Sequence, residues 1–439
     1  MNPPQTLAQK LIAHAAGVPA VREGEIVNCR VDLAMFHDSS GPRRLKPMLE
    51  ELGARIWDPS RVVLVMDHFV PEADDDARRI VRIARDWAAE QGLPHVHDSQ
   101  GICHVVLPQK GHLRPGLFCV GGDSHSPTGG AFGSYMFGIG STEMLGVVVT
   151  GEIWVKVPRT LRMRWQGRLA DGVCAKDMML HMIGRLGMNG GDYQAVEFAG
   201  DTVRGLSMAE RMTLSNLSAE LGAQAGLVAP DATTAAWLRN VGVTVSDEDL
   251  ARWQTDEGAA CVDHDFDASE LVPMVALPHS PQNGRTVDAV AGEPVQLAYI
   301  GACTGAKLED LQAAARVLAG RRIAAGMRLL VAPASVHDWQ RAEATGVARV
   351  LRDAGAELLP SACGACAGYG QAIQGATRVI SSTARNFKGR MGSAQAEVFL
   401  ASPYTVAASA LRGRITDPRD VLADARGSEA ASTSPGTPS

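Results

Sequence analysis

"VQLAYIGACTGAKLEDLQAAARVLAG", residues 295–320, passes from an apolar run through a loop of small residues into an Ala/Leu-rich helical pattern. Its first part, VQLAYIGACTG at 295–305, predicts a buried strand that enters a loop at Cys303, and LEDLQAAARVLAG predicts the helix behind it. That order places Cys303 as a thiol at a helix amino terminus, where the dipole and free amides favour thiolate. Sixty residues on, SACGACAG at 361–368 sets Cys363 and Cys366 at C-x-x-C spacing in a second strand-end loop. Spacing alone leaves three uses open: metal binding, disulfide exchange, or none.

The strand-to-loop pattern recurs in RVVLVMDHF (61–69), GLFCVGG (116–122), MRLLVAPAS (327–335) and TRVISSTARN (377–386). Between these runs lie helical stretches such as KDMMLHMIGRLG and MAERMTLSNLSAELGAQAG. Alternation of this kind predicts α/β layers with largely parallel sheets. Ligands of such sheets bind beyond the carboxyl ends of the strands, so Asp67, His68, Asp123, His125, Cys303 and Arg385 stand where chemistry is expected. GIGSTE (138–143) has Glu143 where a dinucleotide fingerprint needs its third Gly, and predicts a helix start. HVHD (95–98) is expected to be a loop leading to the next strand.

The 439 residues are 46% hydrophobic and 21% charged, an ordinary globular composition with room for two to four domains. A net charge of -6 with scattered Lys and Arg gives no basic footprint, so nucleic acid is not an expected partner. The amino terminus lacks an apolar run suited to a signal peptide and no stretch reads as a membrane span, which predicts a cytoplasmic protein away from membranes. Eight cysteines in a reducing compartment then read as packed thiols or ligands. Cys29, Cys119, Cys174 and Cys261 are assigned to packing, and Cys103 has no role that the sequence names.

Around Cys303, Cys363 and Cys366 the neighbours are small: Ala302, Gly305, Gly364, Ala365, Ala367 and Gly368. Three thiolates among amides free to approach a bulky anion suit an iron-sulfur cube. They suit zinc less well, since no further His or Cys lies near in sequence to close the site. A buried thiol beside a redox or incidental C-x-x-C is the plain alternative. MDHFVP (66–71), GICH (101–104) and GGDSHSPTGGAFG (121–133) add Asp67, His68, His104, Asp123, Ser124 and His125 in three successive loops. A carboxylate beside an imidazole fixes its tautomer and supports its charged form, which makes a proton donor near neutral pH.

Taken in order and at these separations, MDHFVP, GICH, GDSHSPTGGAFG, RMTLSNLSAELGAQAGL, IGACTGAKLEDL, CGAC and ARNFKGRMG resemble the aconitase superfamily, most closely the large subunits of 3-isopropylmalate dehydratases. The resemblance implies three α/β/α domains, here 1–158, 159–285 and 286–426, with a disordered tail at 427–439. It implies a 4Fe-4S cluster held by Cys303, Cys363 and Cys366, with the fourth iron open to act as Lewis acid on a 2-hydroxy dicarboxylic acid. The implied activity is that of a hydro-lyase that dehydrates or isomerises such a substrate. His68 with Asp67, His125 with Asp123, and His104 with Glu220 would handle protons at the leaving water, and Asn216 would point toward the cluster water. Ser124, Arg385 and Arg390 would hold substrate, and Asn386 would fix the arginine loop. The swivelling domain of the long single-chain members has no counterpart here, which implies a separate small subunit and a heterodimer or larger assembly.

Three positions depart from the family pattern. Ala302 and Gly305 flank Cys303 where the usual strand ends SCTN, and Ala384 precedes Arg385 where the usual loop reads NRNF. Loss of these polar groups predicts a changed hydrogen-bonding shell, with dimethylmalate- or homocitrate-type acids as alternative substrates. A zinc or redox protein using Cys363 and Cys366, and an RNA-binding member that has given up the chemistry, are the readings from other classes. The acidic balance and retained cysteines argue against the second.

Overall fold

The computed structural model describes residues 3–369 and 373–424. The tail at 427–439 lies outside the described residues. Each of the apolar runs singled out above forms a strand, as Val62–Met66, Phe118–Gly121, Leu297–Ile300, Arg328–Val331 and Arg378–Ser381. The helical patterns become Ala175–Leu186, Met208–Leu217 and Leu308–Leu318, and GIGSTE opens the helix Ser141–Thr150.

The first large sheet has five parallel strands in the order His95–Asp98, Val62–Met66, Leu33–His37, Phe118–Gly121, Tyr135–Gly138. Its three central strands are buried at every position because both faces are covered, and apolar throughout except for His37 and Gly121 at their ends. On Leu33–His37, Leu33 and Met35 enter one core and Ala34 and Phe36 another, the period-two split of a strand buried on both sides. A second sheet of four parallel strands spans Thr160–Gln166, Ala195–Ala199, Ala225–Val228 and Val262–Asp267.

The third sheet orders Glu397–Ala401, Arg378–Ser381, Leu297–Ile300, Arg328–Val331 and Ala356–Leu358 in parallel. Met274–Ala276 and Gly284–Thr286 add to its edge antiparallel, although both begin before the boundary expected at 285. A two-stranded ribbon, Ile26–Arg30 with Glu152–Lys156, completes the sheets among the described residues.

The strand orders decide where a site can form. In the first sheet the chain reverses its direction of winding between Leu33–His37 and Phe118–Gly121, and in the third between Leu297–Ile300 and Arg378–Ser381. A crevice opens beyond the carboxyl ends of strands at such a reversal. The two crevices face each other. The Cys363 amide donates to Asp67 O at 2.8 Å, Ile102 N to Ala334 O at 2.8 Å and Val336 N to Gln100 O at 3.0 Å. One apolar core runs from Met35 and Val63 of the first sheet through Met212 to Ile300, Cys303 and Ile380 of the third.

HVHD is the strand His95–Asp98, not the expected loop. It is polar because it forms the half-buried edge of the first sheet, where His97 Nε2 lies 2.8 Å from His112 Nε2. Burial lowers both imidazoles to about 4. Among the described residues no helix is long and apolar enough to cross a membrane.

Candidate active site

Strand ends deliver the site. Val62–Met66 runs into Asp67 and His68, Phe118–Gly121 into Asp123, Ser124 and His125, and Leu297–Ile300 into Cys303. Cys363 and Cys366 come from the turn around Gly364–Ala367, and the loop after Arg378–Ser381 brings Arg385 and Arg390. His68, His104, Asp123, His125 and Arg390 line one small cavity together with Cys303, Cys363 and Cys366. A separate cleft of about 940 Å³ beside the ribbon of residues 26–30 and 152–156 contains none of these side chains.

Three histidines each rest on a carboxylate, buried for Asp67 and Glu220 and half-buried for Asp123. His68 Nδ1 lies 2.7 Å from Asp67 Oδ1, and the other Asp67 oxygen accepts from the Cys103 amide at 2.7 Å. Cys103 thus serves through its backbone. The other two pairs are exchanged relative to the sequence expectation: His104 Nε2 meets Asp123 Oδ1 at 2.7 Å, and His125 Nε2 meets Glu220 Oε1 at 3.1 Å. Asp123 Oδ1 also accepts the His125 backbone N–H at 2.8 Å and lies 3.6 Å from His125 Nδ1, so the expected neighbour stays beside the ring while the closer ring contact goes to Glu220. Glu220 also accepts from Arg385 Nε.

These partners set the charges. Burial alone would depress His68, but the carboxylates of Asp67, Asp123 and Asp38 outweigh it and raise the imidazole to about 9. Burial would raise Asp123, yet His104 and His125 hold it well below the usual carboxylate range. The same contest leaves Glu220 lowered by His125 and Arg385, and His125 raised mainly by Glu220. At neutral pH His68 is therefore protonated against an ionised Asp67.

The cysteines form a different kind of set. Cys303 is not at a helix amino terminus: the helix starts at Leu308 with Lys307 as its cap, so Cys303 stands in a turn ahead of it. Burial pushes its thiol up to about 12. Cys366 is pushed down to about 6, because Cys363 donates to it and Arg390 and His125 lie near. Asn216 Nδ2 donates to Cys303 Sγ at 3.2 Å and to Thr128 Oγ1 at 2.8 Å, which fixes the side chain beside the cysteine.

Single-ion binding fits this trio poorly. Three thiolates on one zinc stand about 2.3 Å from it, hence within about 4 Å of one another. Among the described residues, the groups of three or more ligating side chains whose donor atoms come within 4.8 Å are His37, Asp38, Asp67 and His68, and His104, Asp123 and His125. The cysteine trio is not among them, and its wider spread fits a polynuclear iron-sulfur group. Arg390 Nε, Glu220 Oε2 and Asn216 Oδ1 are buried there without a hydrogen-bond partner, as groups awaiting a ligand would be.

The remaining expected residues divide. Ser124 is exposed and opens with Arg385 onto an adjoining cleft of about 390 Å³. Asn386 Nδ2 donates to Leu277 O at 2.8 Å and Val398 O at 2.9 Å, which pins the arginine loop. Cys29 and Cys119 are buried, whereas Cys174 and Cys261, expected as packed thiols, are only half-buried.

Gly305 leaves room for another side chain. A Cβ there would lie 2.3 Å from the Ser382 Cβ and Oγ. The Ser382 hydroxyl accepts from Gly301 N–H at 3.0 Å and lies 3.2 Å from both Gly301 O and Gly305 O, so a polar group missing from one loop is supplied by the next. Ala302 adopts φ 68°, a left-handed conformation that places strain beside Cys303.

Sequence reasoning missed His37. Its ring stacks on His68 with centroids 3.8 Å apart, and its Nδ1 accepts from the amides of Ser39 and Ser40, which leaves the proton on Nε2, 3.5 Å from Asp123 Oδ2. The signal was FHDSS, a strand ending in His-Asp much as MDHF ends in Asp-His. Two buried lysines were missed as well. Lys307 Nζ bonds Cys303 O and Thr213 Oγ1, each at 3.0 Å, and Lys176 lies behind the cysteine loops, where burial lowers it to about 8.

The chain matches the family described as "Aconitase family (aconitate hydratase)" over residues 9–294 and 285–413. It is 42% identical over 426 residues to 3-isopropylmalate dehydratase large subunit 1 of Methanopyrus kandleri, covering 95% of this chain and 100% of that one. It is 39% identical over 420 residues to a probable methanogen homoaconitase large subunit of Methanothermobacter thermautotrophicus, covering 94% and 97%. The crystal structure of Thermococcus kodakaraensis aconitase X in its holo-form aligns with 82% of this chain and 84% of that one, at 10% identity and a TM-score of 0.47.

Proposed function

Because the chain belongs to the aconitase family, we propose that it is the cluster-binding large subunit of a hydro-lyase that dehydrates and isomerises a 2-hydroxy dicarboxylic acid of the 3-isopropylmalate type. The carrying observation is one cavity lined by three cysteines and by three histidines, each backed by a carboxylate. Cys303, Cys363 and Cys366 would hold a 4Fe-4S cluster. When bound, that group supplies a Lewis-acidic iron for the substrate hydroxyl and carboxylate.

The chain's own side chains do the rest. With Nδ1 committed to Asp67 and an imidazole raised to about 9, His68 keeps a transferable proton on Nε2 at neutral pH, suited to protonating a departing hydroxyl. His104 and His125, held by Asp123 and Glu220, orient that oxygen by hydrogen bonding. Arg390, with a buried guanidinium N–H left unpaired, binds substrate carboxylate, and Arg385 with Ser124 meets the opposite end from the adjoining cleft. The base that removes the carbon-bound proton comes from a separate small subunit, as the "large subunit" names of the relatives suggest. A homocitrate-type acid is the second reading, favoured by the 39% identity to the homoaconitase large subunit.

Purification without oxygen should yield matched iron and labile sulfide at a 4Fe-4S complement. Mixed with a small swivelling-domain subunit, the chain should convert 3-isopropylmalate, followed by the ultraviolet absorbance of the unsaturated diacid. Zinc in place of iron would defeat the cluster reading. Turnover of homocitrate alone would move the substrate to the second reading, and full turnover without a small subunit would refute the two-chain assignment.

A further inference from the structure

Lys176 carries a buried positive charge that none of the proton-handling pairs uses. It sits in the first turn of the helix Ala175–Leu186 and is 1% exposed. Its Nζ donates to Thr304 Oγ1 at 3.2 Å, Ser382 O at 3.1 Å and Thr383 O at 2.6 Å. Thr304 follows Cys303. Ser382 and Thr383 lead into Ala384, whose amide donates to Cys366. One ammonium therefore ties together the loops on which two of the three cysteines depend.

All three acceptors are neutral, so they satisfy the N–H groups without cancelling the charge. No carboxylate lies within 4.0 Å of the ammonium among the described residues. Glu220, the strongest negative group acting on it, is already shared between His125 and Arg385, and the next in strength are Cys303 and Cys366. Lys307 makes the contrast clear: it is buried nearby on Cys303 O but has Asp310 Oδ2 at 2.8 Å. An ion buried without a counter-ion is costly, and a chain that keeps one beside a set of thiols gains its compensation when those thiols are thiolates.

Resting on the cluster assignment above, we infer that Lys176 is the resident counter-charge of the iron-sulfur group, a positioning residue that joins the cysteine loops and raises the reduction potential and retention of what they hold. A nearby cation favours an added electron, so its removal lowers the potential. It also removes the attraction that opposes loss of the anionic group.

The test compares the native chain, Lys176→Met and Lys176→Arg, each purified without oxygen. Iron and sulfide are counted, the reduction potential is measured by a titration followed by electron paramagnetic resonance, and iron release is timed in air. Lys176→Met should show a lower potential and several-fold faster release, with Lys176→Arg close to native. If the Met chain does not fold, Lys176→Gln, which keeps a donor for Thr383 O without the charge, carries the same expectation. Full iron with potential and release unchanged in the neutral variants would overturn this inference alone. Iron absent from the native chain would overturn the cluster assignment beneath it.

Discussion

Glu220→Gln tests the exchanged pairing most directly. The native carboxylate has no exposure and accepts from both His125 Nε2 and Arg385 Nε. Glutamine keeps the shape and one acceptor oxygen but removes the anion that Arg385 and His125 share, which leaves His125 only the more distant Asp123 at 3.6 Å. Neutralising one side of a buried ion pair costs roughly 3–5 kcal/mol. Unfolding entropy of roughly 2.1 cal/mol/K per residue, over 439 residues, is about 0.9 kcal/mol/K, so the cost corresponds to a melting temperature about 3–5 °C lower when the chain unfolds as one unit.

The loss has a pH signature. Native His125 is raised above 6.5, so its charged form contributes stability that is fully present below pH 6.5 and is lost as pH rises through the folded value. The gap between native and variant chains should therefore narrow toward alkaline pH. Calorimetry across pH gives the gap, and titration of labelled histidines in the metal-free chain follows His125, which should fall in the variant. An unchanged melting temperature together with an unmoved His125 titration would refute the assignment of Glu220 to His125.

Cys303→Ala should fold yet lose most bound iron and sulfide, counted per chain after anaerobic purification; full retention would remove Cys303 from the ligand set. If His68 gives up its proton during turnover, kcat/KM of the assembled enzyme falls as pH rises through about 9, and Asp67→Asn should move that limb to lower pH. An alkaline limb that does not move would show that another group supplies the proton. Arg211 is wholly buried, with bonds of 2.7 Å to both Asp231 oxygens and further bonds to Leu206 O and Arg204 O, so Arg211→Met should cost about 1.5–3 kcal/mol in urea unfolding, since the Asp231 left behind is partly solvated.

The layers were legible in the sequence because strands covered on both faces read as uninterrupted apolar runs. VVLVM and LAYI need no alignment to be recognised. Strand-end loops carrying Asp, His and Cys were legible for the same reason, since a polar residue directly after such a run falls at the sheet's carboxyl edge. The adjacent pair of His68 with Asp67 was legible, and the longer-range pairings were not. Asp123 is 19 residues from His104 and Glu220 is 95 from His125, and only the approach of three layers selects those partners over adjacent ones. The edge strand at HVHD was hidden by its own polarity. Lys176 gave no signal, because a lysine at the start of a helical pattern reads as solvated until the fold closes over it.

Gly305 and Ser382 share one volume, and that has a consequence for the order in which this loop can change over descent. Any side chain restored at 305 meets a hydroxyl already bonded to Gly301 N–H, so the reverse step is closed until Ser382 is reduced to glycine or alanine. Reducing Ser382 first strips the Gly301 amide of its acceptor. Each single step is a loss, so the two positions are coupled and change without penalty only together. A designer who grafts the more usual cysteine loop onto this scaffold must move both residues at once.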